Sequence, residues 1–335
     1  MNEKIHSKLG FGPMSPEIIE GIIKASSLFG KPMMLISTMN QINHKGGYVN
    51  NWTTNQYAEF VNKMKKKYSG AKIYLCRDHC GPGFGDFDID DVYKTVSDDI
   101  ENNFDLIHID FSKANLNKKV ILDETKRVIE WILNKNEKIG IEVGTEDNKG
   151  EFKNDIIEIQ EELEFIKKVI IPEFWVVQTG SLVKEINQIG SFNKIFIEKV
   201  HKLLKSSSIK LKEHNADYLN SENIKKRNSV IDAMNIAPQL GVLQTISVIN
   251  EALVYGIDIG PFTEVSYDSK KWEKWLYVNK PENKMLCSII SGHYNYTSSE
   301  YQELVSKLGK ITQIKELIIG KIVDLIKYYL EAFDY

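Results

Sequence analysis

The sequence predicts a (β/α)8 TIM barrel with a C-terminal helical extension, and three observations predict it. Short β-rich runs alternate with longer amphipathic ones, the pattern of a parallel α/β fold. Eight such units follow one another. From the third strand to the seventh, each run stops on polar residues able to do chemistry, as expected when one site is assembled at the carboxyl ends of barrel strands. Strands are expected at 8–12, 33–37, 72–76, 106–110, 138–142, 174–178, 208–212 and 233–237. Helices are expected between them at 16–28, 55–68, 90–102, 122–134, 155–169, 192–204 and 220–230, with an eighth at 243–255. Several open on good caps or a first-turn proline, as in Ser15-Pro16-Glu17, Thr53-Thr54-Asn55 and Ser221-Glu222-Asn223. Past the eighth helix comes a polar aromatic stretch with Trp272 and Trp275, then a last amphipathic helix at 311–333. Ile314, Leu317, Ile318, Ile322, Leu325, Ile326 and Leu330 recur in that helix at helical spacing. The chain therefore reads as a barrel over 1–259 and an extension over 260–335 that packs on the barrel or on a second subunit.

Composition narrows the function classes. With 335 residues the chain can bury a substantial core. Its 43 basic and 46 acidic residues give a net charge of -3, so no excess field recruits nucleic acid or an anionic membrane. Cys76, Cys80 and Cys287 make neither an even framework nor a Cys-x-x-Cys pair, which fits reduced thiols in a cytosolic protein. The start, Met1-Asn2-Glu3-Lys4-Ile5-His6, lacks the apolar core of a signal peptide, and no run approaches the ~18 apolar residues of a spanning helix. A cytoplasmic protein is the expectation.

Asp78-His79 ends the apolar run Ile73-Tyr74-Leu75-Cys76 just before Cys80-Gly81-Pro82-Gly83, and so sets a proton-transfer group beside a metal ligand in a loop. His214 ends the seventh strand, and a barrel mouth of this size can bring it and His79 to one ion. Two unrelated hydrogen-bonded histidines are the alternative. Asp78 is then a general base or an orienting carboxylate. Glu142 and Glu146 flank a Gly-Thr turn and either complete the metal site or hold a histidine in its tautomer. His108 and Asp110 alternate with Ile107 and Ile109, so both should point into the barrel, Asp110 as a supporting acid and His108 in a structural role. Asn40, Gln41 and Asn43, with Gly46-Gly47-Tyr48 behind them, suit recognition of a polyol, although a loop of turn formers explains the same letters. Gln178, Gly180, Asp217 and Gln239 extend that surface along the strand ends, and Gly241 offers backbone N–H to a phosphate.

These motifs resemble a known family. Asn40-Gln41-Ile42-Asn43, Arg77-Asp78-His79-Cys80-Gly81-Pro82, Ile107-His108-Ile109-Asp110-Phe111-Ser112, Val143-Gly144-Thr145-Glu146, Val176-Val177-Gln178-Thr179-Gly180 and His214-Asn215-Ala216-Asp217-Tyr218 are similar, in order and spacing, to the larger subunit of D-tagatose-1,6-bisphosphate aldolase (the GatZ/KbaZ type). The resemblance runs from about residue 8 to residue 255. It implies the class II aldolase barrel, in which zinc or another divalent metal stabilises an enediolate. It further implies Asp78 as acid/base, His79 and His214 as zinc ligands, and Glu142 close to an orienting acid. Two departures stand out. Class II aldolases supply a further histidine from the sixth strand, where this chain reads Gln178-Thr179-Gly180-Ser181-Leu182. Near the eighth strand, where that family often has lysine, it reads Ala237-Pro238-Gln239-Leu240-Gly241, which favours a singly phosphorylated ketose over a bisphosphate. The expected function is a metal-dependent aldolase acting on a phosphorylated ketose. The alternatives are a non-catalytic subunit stabilising a smaller aldolase subunit, or a sugar-phosphate epimerase or isomerase. A homo-oligomer is the other partner implied.

Overall fold

Alternation along each strand sorts the side chains of this protein into an inner and an outer set, and both sets are buried. In a computed structural model describing residues 5–145, 150, 155–277 and 281–335, eight parallel strands close into a barrel. They are β1 (Leu9–Phe11), β2 (Met33–Thr38), β3 (Ile73–Cys80), β4 (Leu106–Ile109), β5 (Gly140–Gly144), β6 (Phe174–Val176), β9 (Lys210–Glu213) and β10 (Ala233–Ile236). Each pairs in parallel with its neighbours and β10 returns to β1. Outward residues such as Leu35, Leu75, Ile107, Ile141, Trp175, Leu211 and Met234 pack under the helices in the main core. Inward ones form a separate apolar plug of Met34, Ile36, Cys76, Leu106, Phe174 and Ala233, with Ile5 beneath. Above the plug the inward positions turn polar: Asp78, His108, Glu142, Lys212, His214 and Asn235 are all buried.

The helices between strands are α1 (Pro16–Phe29), α2 (Thr54–Lys67), α3 (Ile89–Glu101), α4 (Lys118–Lys135), α5 (Ile156–Ile166), α6 (Lys194–Ser206), α7 (Ser221–Arg227) and α8 (Pro238–Val254). Ser15, Thr53, Asp88, Asn117, Asp155, Asn193 and Asn220 each accept a backbone N–H from the first turn, which explains where these helices begin. The eighth helix starts at Pro238, five residues before the expected 243. Ala237 cannot cap it, and the first-turn Pro238 is the only local start signal. The cap comes from Asp217, whose Oδ1 accepts from Ala237 N at 3.0 Å and Gln239 N at 2.8 Å.

Two features outside the simple alternation shape the mouth. After β6 the chain makes a small antiparallel hairpin, β7 (Val183–Lys184) and β8 (Asn187–Gln188). Past α8 come α9 (Gly260–Asp268), α10 (Lys284–Ser291), a 3-10 turn (Gly292–Asn295), α11 (Ser299–Gly309) and α12 (Ile314–Ala332). The apolar stripe of α12 lies on the barrel: Ile322 sits so close to Gly21 of α1 that a Cβ there would collide with it. Tyr329 donates to the Ala216 carbonyl and to Gln239 Oε1. No described helix is long and apolar enough to cross a membrane.

Candidate metal and sugar site

His79 and Asp78 are neighbours in sequence, and on a regular strand they would face opposite sides. Here both face the barrel mouth. The register of β3 against β4 shifts between Arg77 and Cys80, and His79 adopts φ 44°, in the left-handed region that non-glycine residues rarely occupy. This local strain swings the imidazole inward beside the carboxylate. Gly81 follows because the chain passes against the Asp110 carbonyl, leaving no space for a Cβ.

Around Asp78 three histidines converge, and donor atoms of Asp78, His79, His108 and His214 all lie within 4.8 Å of one another. The outer nitrogen of each ring is bound to an oxygen that can only accept. His79 Nδ1 is 2.8 Å from Asp110 Oδ2, His108 Nε2 is 2.7 Å from the Gly144 carbonyl, and His214 Nε2 is 3.1 Å from Glu142 Oε1. Each outer nitrogen therefore carries the hydrogen, and in a neutral ring the inner nitrogen keeps its lone pair. The inner atoms meet face to face: His79 Nε2 and His214 Nδ1 are 3.2 Å apart, as are His108 Nδ1 and Asp78 Oδ1, and His108 Nδ1 also receives the His79 backbone N–H at 3.2 Å. Acceptors crowded in this way require protons or a cation between them.

The electrostatics agree. Burial alone would raise the Asp78 carboxyl, but the charges of His79 and His214 and the hydrogen bond from His108 outweigh it and hold the group well below the usual range. Burial opposes charge on His108, yet the carboxylates of Glu142 and Asp78 overcome it and push the ring up to about 9. Burial wins at His214, which is lowered, while Asp78 and Asp110 carry His79 upward against the same penalty. Three imidazoles and a carboxylate, with each ring oriented from behind, are a donor set suited to zinc or a neighbouring first-row divalent ion.

The supporting groups come from further strands. Asp110 accepts from Ser112 N at 2.9 Å and Thr145 Oγ1 at 2.9 Å as well as from His79. Gly144, at φ 87° with Val176 against it, directs its carbonyl at His108. Glu142 receives Lys212 Nζ at 2.7 Å on the oxygen that His214 leaves free. Its carboxyl, which burial would raise, is pulled down to about 2 by Lys212 and the histidines.

The expected site residues thus take different places. His79, His214 and Asp78 come together. His108 joins them from β4 rather than acting as a remote structural ring, and inward spacing from His108 to Asp110 was the signal for it. Glu142 sits behind His214, bonded to Lys212, instead of adding a donor at the centre. Glu146 lies outside the described residues. A cavity of about 570 Å³ opens above the cluster, within the ~300–1,000 Å³ usual for small-molecule sites. Asn40, Gln41 and Asp217 line it. Asn43 does not: its side chain bonds Met39 O, Lys45 N and Gly46 N and folds the loop on itself. Gln239 Oε1 is occupied by Tyr218 N and Tyr329 Oη. Gly241 packs against His293 and Met14, with no room for phosphate at its Cα. Gln178 is buried and Gly180 lies against Gly190, both away from the cavity lining. Sequence reasoning missed Asn235, Lys271, Lys274, Trp275 and Tyr294, all at the cavity.

No family model matches this chain, and no curated protein sequence does. Solved structures do. A crystal structure of a probable tagatose 6 phosphate kinase from Sinorhizobium meliloti 1021 superposes with a TM-score of 0.80 at 16% identity, covering 97% of this chain and 100% of that one. The fructuronate-tagaturonate epimerase UxaE from Cohnella laeviribosi, complexed with glycerol, gives 0.64 at 10% identity over 100% of this chain and 83% of its own. A fructose-bisphosphate aldolase from Campylobacter jejuni gives 0.56 at 13% identity, with 90% of each chain covered. At these identities the likeness establishes the barrel with its extra C-terminal helices.

Proposed function

We propose that this chain is a metal-dependent enzyme of sugar metabolism that moves a proton beside a ketose carbonyl, and that its reaction is the reversible aldol cleavage of a phosphorylated ketose of the tagatose or fructose type. The observation that carries the reading is the set of three outward-bonded imidazoles whose inner nitrogens face one another beside Asp78. His79, His108 and His214 would hold a divalent ion. Such an ion supplies Lewis acidity, which polarises a carbonyl and offsets the charge of an enediolate.

The chain's own residues do the rest. Asp78, ionised by its surroundings and lining the cavity, is placed to take and return a proton on the substrate. Asp110, the Gly144 carbonyl and Glu142 fix the tautomers, so the rings need no rearrangement when they bind the ion. Phe84 stacks on His79 with ring centroids 5.1 Å apart and shields that face from water. The structural neighbours support the substrate class, since tagatose 6-phosphate, fructose bisphosphate and the fructuronate-tagaturonate pair named for them are all six-carbon keto sugars or their acids.

Epimerisation is the second reading, favoured by the likeness to UxaE, which takes in the whole of this chain including its extension. The two readings differ in the proton that Asp78 would take: cleavage removes the hydroxyl proton on the carbon β to the carbonyl, and epimerisation beside the carbonyl removes a C–H proton and returns it on the other face. Purified protein, loaded with zinc or manganese, would be incubated in deuterated water with tagatose and fructose phosphates and followed by NMR. Aldolase activity releases an aldehyde. Epimerase activity instead yields a deuterated epimer with the carbon chain intact. Absence of exchange, cleavage and epimerisation across the panel defeats both readings and leaves the non-catalytic subunit.

A further inference from the structure

The cavity above the histidine cluster has a second wall made by the extension. Lys271, Lys274, Trp275 and Tyr294 line it opposite the strand ends. The segment is firmly held. Trp272 is buried with Cys287 and Ile290, and its Nε1 donates to the Tyr267 carbonyl at 2.8 Å. Trp275 Nε1 donates to Tyr294 Oη at 3.2 Å, while the Trp275 carbonyl accepts from Glu185 N at 2.8 Å. Lys184, on the hairpin, donates to the Lys274 carbonyl. The backbone of the turn is thus pinned on both sides, and its two lysines lie at the cavity.

These are the only lysine or arginine side chains among the described residues lining the cavity. Neither makes an ion pair with a described carboxylate, and Lys274 Nζ rests over the rings of Trp275 and Tyr294 at 5.0 and 5.2 Å. Three other groups near the mouth that could bind an anion are engaged. Asp217 occupies the first amides of α8, Lys212 is bonded to Glu142, and Arg227 is bonded to Glu213. Asn235, on β10 and lining the same cavity, is 3% exposed, and its amide oxygen and nitrogen both lack a partner among the described residues. A buried amide with neither end paired is costly, and a ligand hydroxyl that donates to one atom and accepts from the other relieves that cost.

We infer that the 271–275 turn is an anion subsite, in which Lys271 and Lys274 hold the one anionic group, phosphate or carboxylate, of a polyhydroxylated ligand whose hydroxyls pair with Asn235. The inference rests on the reading of the cavity as a sugar site and adds which end of the sugar lies outward. The charged end sits under the extension and the uncharged end reaches the histidines.

The test uses ligands that carry no carbonyl and cannot react: D-glucitol 6-phosphate, D-gluconate, neutral D-glucitol and inorganic phosphate, titrated calorimetrically into the full-length, metal-loaded protein. Charge-assisted hydrogen bonds of this kind contribute about tenfold in affinity. One or both anionic polyols should therefore bind about tenfold tighter than glucitol, and the better of the two names the anion. Lys271→Gln/Lys274→Gln should erase the advantage and leave glucitol unchanged. Asn235→Leu should weaken all three polyols alike, with Asn235→Ser as the milder variant should the leucine fail to fold. An anion advantage that survives the double lysine change overturns the subsite, as does its absence in the unmodified protein or binding of inorganic phosphate alone. Turnover is measured separately. An anion advantage without turnover leaves the subsite standing and removes the proposed reaction, whereas turnover indifferent to both lysines does the reverse.

Discussion

Replacing Glu142 by glutamine separates two jobs that one carboxylate performs. In the barrel interior Glu142 Oε2 accepts from Lys212 Nζ at 2.7 Å and Oε1 lies 3.1 Å from His214 Nε2, with both Glu142 and Lys212 about 1% exposed. With a neutral amide in place of the carboxylate, Lys212 loses its counter-charge, and its other described contacts are Met34 Sδ at 3.9 Å and the face of Phe174 at 5.0 Å. Stranding a buried charge by removing its partner costs about 3–5 kcal/mol. Lys212→Met leaves a carboxylate that still accepts from His214, so its cost should be smaller. In Glu142→Gln/Lys212→Met no charge is left over, and the double variant should lie within about 2 kcal/mol of the parent, so the cycle shows coupling of several kcal/mol. Metal affinity should divide differently. Losing the orienting carboxylate costs about 10–100-fold, whereas Lys212→Met, which retains it, should change affinity only a few-fold. Urea unfolding with chelator present reads the first quantity without linkage to the ion, and competition with a chromophoric chelator reads the second. Additive stabilities across the cycle, or equal metal affinity in Glu142→Gln and the parent, would refute the reasoning.

Three other expectations follow from the site. Asp78→Asn should retain a bound divalent ion while turnover drops by about a hundredfold or more, the scale of one lost general acid/base; metal analysis showing loss of the ion in step with activity would move Asp78 into the coordination sphere. His108→Ala should lower metal content as severely as His79→Ala does, and full occupancy in the His108 variant would return that ring to a structural role. Burial holds the Asp217 carboxyl up near about 7 against two amide hydrogen bonds, so the folded protein keeps a proton that the unfolded chain gives up near pH ~4. The stability this group lends is therefore present below pH ~4, shrinks as pH rises toward ~7 and is gone above it. Asp217→Asn keeps the amide acceptor without the charge and should gain on the parent by about 1 kcal/mol per pH unit across that window; parallel unfolding curves at pH 5 and pH 8 would show the assignment to be wrong.

How far the sequence reveals this protein depends on how local each determinant is. The barrel strands are runs of β-branched and apolar residues, and their helices carry their own caps, so both are visible in short windows. The β7–β8 hairpin has two-residue strands and no alternation to read. The start of α8 is capped by Asp217 from across a loop, and Pro238 at its first position is the one local signal, without a capping side chain beside it. At the site, His79 and His214 stand out as strand-end histidines, and the inward spacing of His108 and Asp110 places both rings and carboxylates in the lumen. The Glu142–Lys212 pair joins strands that are not adjacent, so neither residue advertises the other. Lys271 and Lys274 look like solvated surface charge until the extension is folded back over the mouth.

The apolar plug beneath the lumen gives the barrel a closed floor, with Ile5 below and Phe174, Leu106 and Met34 across it. Whatever reacts at the histidines must enter and leave by the same opening, past the turn that carries Lys271 and Lys274. If a ligand is divided there, the piece next to the rim blocks the exit of the piece below it, and departure is compulsorily sequential. Product-inhibition kinetics would show that traffic directly: the deeper fragment, last to leave, should compete with the intact ligand, whereas excess rim fragment should trap the deeper one and inhibit without competing.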